Sequence, residues 1–455
     1  MLKLPWQRKK EEKRELFNAE VKAKRIEGLE TLKASRLASL VIEKCGRIFN
    51  ETGAREAGSP QAARCAELLL ESFGQVSDSA ALEEEKADCS SFWMVYSVLP
   101  VASLAMLVFC WTGFPSLALV LCILTCLFIW HSFLLCSGRD RGLLSRDIVN
   151  VSASIEPEEA VQDTVIFTSH HDSAPMFSRQ GQSPVMALYL PTVHFILLSV
   201  VSLCLFISEI ITGQLFRFNL PPLAILILLV LLTLSLPVYA RMFSLVGKEC
   251  SPGVGDNLVS CAILTELAHY FWWKKGNGEG LAHTRLVFAS FDGEECGLKG
   301  SRAWYRRHSD ELVNAVNINL DCPLRSFDFT FLTKDVNGFV PLSSRLASEC
   351  AQSAASMGYD VKVGALSVLS GATDAASAAR CGIEATTLMG IPLSGAGSGV
   401  IHTDADNLSV LDKASIEEAI SICIKIVEGR ARDDAGQEKT GLPSLADEKR
   451  KFTLR

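Results

Sequence analysis

The chain has 455 residues, enough for one large domain or two ordinary ones. A formal net charge of −7 supplies no basic surface for broad nucleic-acid binding, so no nucleic-acid partner is expected. Apolar residues make up 49% of the chain and the mean hydropathy is +0.24, both high for a soluble protein, and the excess is concentrated in two stretches.

Residues 1–48 form a basic segment, mostly helical from about residue 7 and rich in Lys, Glu, Arg, Ala and Leu. Arg8, Lys9 and Lys10 beside Trp6 suit contact with an anionic leaflet, and equally a solvated helix face. The opening MLKLPWQRKKEEKRELF has no apolar core, so a cleavable signal peptide is not expected. Residues 49–91 open the soluble domain. Here Gly58-Ser59-Pro60 starts a helix, with Ser59 as N-cap and Pro60 in the first turn.

Residues 92–136 contain no Asp, Glu, Lys or Arg and break at Trp111-Thr112-Gly113-Phe114-Pro115. Each half has about 20 residues, enough to cross ~30 Å of hydrocarbon as a helix. Residues 188–243 repeat the pattern, with apolar runs Tyr189–Ile211 and Leu220–Tyr239 joined by TGQLFRFN. Trp93, Trp111, Trp130 and Tyr239 stand near the ends, where aromatic rings favour the interface. Four inserted transmembrane helices in two hairpins are therefore expected; buried core helices of a soluble protein are the competing account. Glu209 is the one acid within a span, and no role is assigned to it.

Two hairpins return the chain to one side. Lys86, Arg139, Arg141, Arg146, Arg179, Arg241 and Lys248 flank them there, and Arg217 alone lies in a loop on the other side. The positive-inside bias leads us to expect a multi-pass membrane protein with its soluble domain on the cytoplasmic side. The 15 Cys, without a C-x-x-C pair, read as free thiols in a reducing compartment, in agreement with that side.

The soluble domain continues over 137–187 and 244–430, with a polar tail at 431–455. Strands are expected at Val149–Ile155, Thr164–Ser169, Arg285–Phe291 and Ala315–Leu320, and helices at Asn257–Trp273, Lys299–Arg307 and Val410–Gly429, the last with Ser415 near its start. This alternation predicts an α/β fold, a mixed, largely parallel sheet flanked by helices, with active residues at the carboxyl ends of strands.

Polar motifs punctuate those ends: TSHHDS with His170 and Asp172, GVGDNLVS with Asp256, FASFDGEECGLKGS with Glu294 and Glu295, INLDCP with Asp321, and GVIHTDADN with His402. Each has an ordinary explanation alone, such as an N-cap for Asp256 or a solvated turn for the glutamates. Together they offer carboxylates and imidazoles, the hard and borderline donors that suit zinc. Five ligands exceed one tetrahedral ion and suit two that share a carboxylate, with the second glutamate free for proton transfer.

The ordered series HxD, GxGDN, DGEExGLxGS, NLD, HTxxDN resembles the M28 family of zinc metallopeptidases, chiefly aminopeptidases, and TGAREAGSPQAA resembles that family's N-terminal helix region. The resemblance covers residues of about 40–75, 149–177 and 245–425. It implies a zinc-exopeptidase type of fold, two zinc ions per chain and a peptide substrate. It further implies His170 and Asp321 as terminal ligands of one zinc, Glu295 and His402 of the other, and Asp256 as the bridge. Glu294 is implied as general base, Asp172 as the residue that orients His170, Asp406 as a support behind the ligands, and Asp374, in GATDAASAARCGIEA, as part of a substrate-pocket loop. Two departures stand out. Ile401 occupies the position before the last histidine where many relatives have Tyr, and both hairpins interrupt the domain. The long connection from His170 to Asp256 would bring the mouth of the site close to the bilayer. A one-zinc glutaminyl cyclase-like acyltransferase and a non-catalytic membrane scaffold remain as competing functions on the same fold.

Overall fold

A computed structural model describes residues 34–90, 92–137, 145–177, 184–213, 223–239, 246–368, 370–393 and 399–433. The expectations for residues 1–33, for Arg139, Arg141, Arg179, Arg217 and Arg241, and for the tail beyond 433 lie outside them.

Helix α1 (Ala34–Thr52) buries Leu37, Ala38, Val41, Cys45 and Ile48 along one face. It runs past the expected limit at 48 and stops at Gly53, whose φ of +64 reverses the chain and whose N–H closes on Phe49 O at 2.7 Å. In α2 (Pro60–Phe73) Ser59 Oγ accepts the Ala62 N–H at 3.1 Å, the expected cap. Strand β1 (Ser79–Ala87) leads into α3 (Val95–Trp111) and α4 (Pro115–Ile129), and β2 (Arg146–Ile155), β3 (Asp163–His170) and β4 (Pro175–Phe177) follow. Helices α5 (Pro184–Thr212) and α6 (Leu223–Leu234) precede β5 (Val246–Cys250), α7 (Val259–Gly276), β6 (Thr284–Phe291), α8 (Lys299–His308) and β7 (Ala315–Asp321). The chain ends with β8 (Thr330–Leu332), β9 (Lys334–Asp335), β10 (Val340–Pro341), α9 (Ser344–Ala355), β11 (Lys362–Gly364), α10 (Ala375–Arg380), β12 (Glu384–Met389) and α11 (Lys413–Asp433).

Two helix starts differ from expectation. Before α7, Val254–Leu258 make a wide turn in which Asp256 (φ −121°, ψ 84°) and Asn257 are non-helical, and Asp256 caps nothing. Helix α11 begins at Lys413 because Asp412 Oδ2 accepts Ser415 N–H at 2.9 Å and Ser415 Oγ–H at 2.7 Å; Leu408–Val410 is a separate tight turn.

The eight-stranded sheet has the order β1-β2-β6-β3-β7-β12-β8-β11. Its central strands β6, β3, β7 and β12 are parallel, and β1, β2 and β8 pair antiparallel, so the sheet is mixed as expected. β3 is buried along its whole length, as a strand covered on both faces must be. Val165 and Phe167 face the layer of α1, α2, α7, α9 and α11, while Ile166 faces α8 and α10. The outer strand β1 carries Glu83, Glu84, Glu85 and Lys86, charges that discourage further pairing at an edge.

The hairpin helices form a separate cluster around Met106, Leu198, Leu229 and Tyr239. Tyr239 Oη donates to Ser103 Oγ at 2.6 Å and meets His194 Nδ1 at 2.8 Å, which ties the two hairpins together. Where four membrane-spanning helices were expected, two among the described residues are long and apolar enough: Pro115–Leu134 and Tyr189–Thr212. Val95–Trp111 and Leu223–Tyr239 are shorter. The apolar run from Phe92 spends its first residues in a turn, leaving 17 helical residues, about 26 Å of rise. The run ending at Tyr239 tightens into a narrow turn over Leu236–Tyr239.

Candidate metal centre

In a parallel arrangement the carboxyl ends of neighbouring strands share one edge, and loops leaving that edge meet. His170 ends β3 and Asp321 ends β7, while Glu294 and Glu295 follow β6. Asp256 comes from the wide turn before α7, and His402 from the loop before α11. The five positions converge. His170 Nε2 lies 3.2 Å from Asp256 Oδ1, and His402 Nε2 lies 3.2 Å from Asp256 Oδ2. Two imidazoles thus address the two oxygens of one carboxylate.

Asp321 joins His170 and Asp256 in a group whose donor atoms lie within 4.8 Å of one another, and Glu295 joins Asp256 and His402 in another. His402 Nε2 is 3.4 Å from Glu295 Oε1, and His170 Nε2 is 4.0 Å from Glu294 Oε2. His170, Asp256, Glu294, Glu295 and Asp321 are all buried, and His402 is the most accessible of the set. His402 also holds a left-handed φ of +58°, uncommon for a residue with a Cβ and of the kind that gathers at functional sites.

Two further aspartates hold this arrangement. Asp172 faces His170 Nδ1 at 3.4 Å and accepts the N–H groups of Glu294 and Glu295 at 3.2 and 3.1 Å. One carboxylate therefore orients the histidine and fixes the loop bearing both glutamates. Asp406 accepts the N–H of Gly255 at 2.6 Å and of Asp256 at 3.1 Å. Gly255 permits that approach, because a Cβ there would stand 2.7 Å from Asp406 Oδ1. Asp374 is fully buried just before α10; it lies outside both groups, although its charge acts on Glu294.

Crowding shifts the protonation of these groups. Burial pushes Glu294 well above the usual carboxyl range. It also raises Glu295, with the Asp256 charge adding, and lifts Asp321 to about 7 and Asp374 to about 8. For Asp256 burial acts upward too, but hydrogen bonding to His170 and His402 outweighs it and holds the group low. Burial works against charge on the two imidazoles, yet the surrounding carboxylates, Glu294 for His170 and Glu295 for His402, raise both well above the ordinary value. Such a set needs compensating positive charge. Glu295 Oε1 is buried, and its nearest donor is His402 Nε2 at the long distance of 3.4 Å. Carboxylate oxygens and imidazole nitrogens gathered in this way suit a zinc-like cation.

Three residues here escaped the sequence reading. Arg55 is fully buried, and its guanidinium donates to the carbonyls of His171 (2.7 Å), Gly53 (2.8 Å), Pro252 (3.0 Å) and Gly253 (2.5 Å). It clamps the end of β3 to the loop leading to Asp256. Asp292 is buried and accepts the N–H groups of Gly58 at 3.2 Å and Val149 at 3.1 Å. Asn257 brackets Asp321 by donating to Leu320 O at 2.9 Å and accepting from Cys322 N at 3.2 Å. The only signals were a lone Arg among small residues in TGAREAGS, and an acid and an amide beside the motif carboxylates.

Residues 238–427 match the sequence profile of Peptidase family M28. No curated protein matches the chain. Among solved structures, a zinc aminopeptidase from Bacillus subtilis aligns at 12% identity, covering 90% of this chain and 97% of that one with a TM-score of 0.50, and shows the fold. A glutaminyl cyclase from Porphyromonas gingivalis aligns at 16% identity over 86% and 98% of the two chains, TM-score 0.49. A Zn-dependent exopeptidase from Parabacteroides distasonis aligns at 12% identity over 86% and 97%, TM-score 0.49.

Proposed function

We propose that this chain is a membrane-bound dizinc metallopeptidase of the M28 type, an aminopeptidase that hydrolyses N-terminal peptide bonds on the cytoplasmic side. The observation that carries the reading is the Asp256 carboxylate, with one oxygen toward His170 and the other toward His402, at 3.2 Å each. His170 and Asp321 would hold one zinc, Glu295 and His402 the other, and Asp256 both. When bound, such a pair supplies Lewis acidity for the scissile carbonyl and a water acidic enough to ionise near neutrality.

The chain's own residues do the rest. Glu294 stands beside the ligands without being needed in either group that shares Asp256, and burial raises its affinity for a proton. It is therefore suited to take a proton from the attacking water and return it to the leaving amine. Asp172 keeps the Nε2 lone pair of His170 directed at the cluster by facing Nδ1, and it holds the Glu294 backbone in place. Asp406 fixes the backbone of Asp256, and Asp374 is assigned, on the family resemblance alone, to a substrate-pocket loop. Ile401 offers no hydroxyl for the oxyanion, so that stabilisation falls to another donor.

The membrane part of the reading is supported by surface chemistry. Among the described residues, all the exposed large apolar side chains but Val313, Phe327, Phe339, Val363 and Val368 belong to the two hairpins. An apolar patch of that extent needs a cover, and lipid supplies one. Four crossings are proposed, the two shorter helices spanning with their flanking turns. Protease added to sealed vesicles tests the side: digestion of the catalytic domain from the extracytoplasmic face alone overturns the orientation.

Metal content measured together with hydrolysis of aminoacyl-arylamides tests the chemistry. Glu294→Gln should retain two zinc ions per chain and lose about 10²–10⁴-fold in turnover. One zinc per chain with cyclisation of N-terminal glutamine would instead favour the acyltransferase, and no bound zinc the scaffold.

A further inference from the structure

The hairpins and the metal ligands leave the sheet at the same end. β2 runs antiparallel to β6 with Val151 opposite Ser290, so Arg146 at its start lies beyond the carboxyl end of β6. β1 delivers the chain into the first hairpin at that end, where Ala87 pairs with Arg146. The second hairpin departs just after Asp172 through the β4–β5 ribbon, Pro175 opposite Cys250, and the chain returns to Asp256.

The first hairpin also touches the loop bearing the glutamates. A Cβ on Gly297, two residues after Glu295, would stand 3.4 Å from the Phe92 ring and 3.8 Å from Cys136 Cβ. Cys296 packs with Ala87 and Cys89 beneath Phe92 and Trp93, and Leu298 packs with Cys136. Polar contacts fasten the same junction. Arg302 donates to Cys136 O at 2.8 Å, Asn337 to Leu134 O at 3.1 Å, and Arg380 to Leu135 O. The catalytic loop is thus seated directly on the base of the membrane hairpin.

Aromatic rings mark the level of that base. Phe92 packs against Trp93 and Phe133, each at 5.2 Å between centroids, and exposed Trp130 meets exposed Phe339 at 5.1 Å. Such rings favour the headgroup layer, roughly 5–8 Å deep on each side of the hydrocarbon. Two residues of chain from Gly297 to Glu295 reach at most about 7 Å. A bond cut at the cluster is therefore cut on the order of 10–15 Å from the hydrocarbon.

We infer that the substrate, on the peptidase reading above, is a peptide anchored in the bilayer whose free amino terminus stands only a few residues out of the lipid. An amino terminus emerging beside the hairpins reaches the cluster without leaving its anchor. Its confinement to the membrane makes the encounter effectively intramolecular, which favours the anchor span that matches the site.

The test uses the full chain, zinc-loaded, in phosphatidylcholine vesicles containing phosphatidylglycerol. Substrates share one N-terminal sequence, joined by Gly-Ser spacers of about 3, 8 or 20 residues to a C-terminal lipid, alongside the same peptide without lipid. Release of the first amino acid per membrane-bound peptide should fall at least about tenfold from the shortest to the longest spacer, with the free peptide slowest. The Glu294→Gln chain, which binds without cutting, should bind fluorescent versions in the same order. Equal rates and affinities across the spacers, or preference for the free peptide, overturn the inference and leave the peptidase intact. Hydrolysis of no peptide at all, free or anchored, by a chain that holds its zinc overturns the peptidase reading and the inference with it.

Discussion

The sheet and the hairpin bundle use the same apolar residues inside and opposite residues outside. In the sheet region, Leu37, Val41 and Ile48 of α1 face the core while Arg47 and Glu51 remain accessible. In the bundle, Met106 and Leu198 are buried, and beside them Leu104, Ile123, Leu197 and Ile227 are 41–58% exposed. The inner faces alone would not tell the two regions apart. The outer face separates them: on the reading proposed above, water covers one region and hydrocarbon the other.

That contrast can be broken by placing one charge on each surface. Leu124 lies midway along Pro115–Leu134 and is 57% exposed, while Val313 precedes β7 and is 45% exposed. Leu124→Arg should cost about 3 kcal/mol of membrane insertion and sharply reduce the integrated yield. Val313→Arg should stay within about 0.5 kcal/mol, as surface changes do. Membrane fractionation and thermal melting check both. Equal tolerance of the two substitutions would mean that the bundle's outer face meets water or protein, and the membrane reading would fall.

A smaller effect probes the catalytic half. In Asp172→Asn the amide keeps the shape but cannot accept both the Glu294 and Glu295 N–H groups, and it presents a donor toward one of them. The five proposed ligands stay in place. Zinc affinity should fall about 10–100-fold, and activity with it, while the fold persists. Competition with a chromophoric chelator measures the first and thermal melting the second. Unchanged affinity would remove Asp172 from the zinc-orienting role.

What the sequence made legible follows from the same physics. His170, Asp256, Glu295 and Asp321 were readable as candidates because each is a polar side chain close to where an apolar strand or helix begins or ends, and His402, in a loop, because of the motif around it. The mixed, largely parallel sheet was readable because strand-like and helix-like segments alternate along the chain. Arg55 was not, because its partners are four backbone carbonyls, and carbonyls leave no mark in a sequence. The same holds for the junction that Arg302, Asn337 and Arg380 make with the carbonyls of Leu134, Leu135 and Cys136. Whether Asp256 capped a helix or faced two histidines was also undecidable locally, since both begin with an acid before α7. The distinction lies in the non-helical turn at Asp256 and Asn257, which only distant partners select.

The gentlest probe lies where the two regions join. Asp335 is fully buried and accepts the N–H groups of Val336 at 2.6 Å and Thr373 at 2.9 Å, with Thr373 Oγ1 donating to its other oxygen at 2.6 Å. It holds the turn from which Asn337 reaches the hairpin carbonyl of Leu134. Burial lifts its carboxyl from the ordinary 3.8 to about 6, against the pull of those hydrogen bonds. A raised folded-state value means that the native protein holds this proton more tightly than the unfolded chain. The associated stability is fully present below about pH 4 and is lost as pH rises through about 6. Between those two values the slope should be on the order of 1 kcal/mol per pH unit. Asp335→Asn can donate to Thr373 Oγ1, whose own hydrogen can turn to Thr387 Oγ1 2.6 Å away, so the turn survives without the titration. Melting midpoints from pH 4 to 7 should then decline more steeply in the parent than in the variant. Parallel profiles would show that the junction is indifferent to this proton, leaving the carbonyl contacts of Arg302, Asn337 and Arg380 to hold the two regions together.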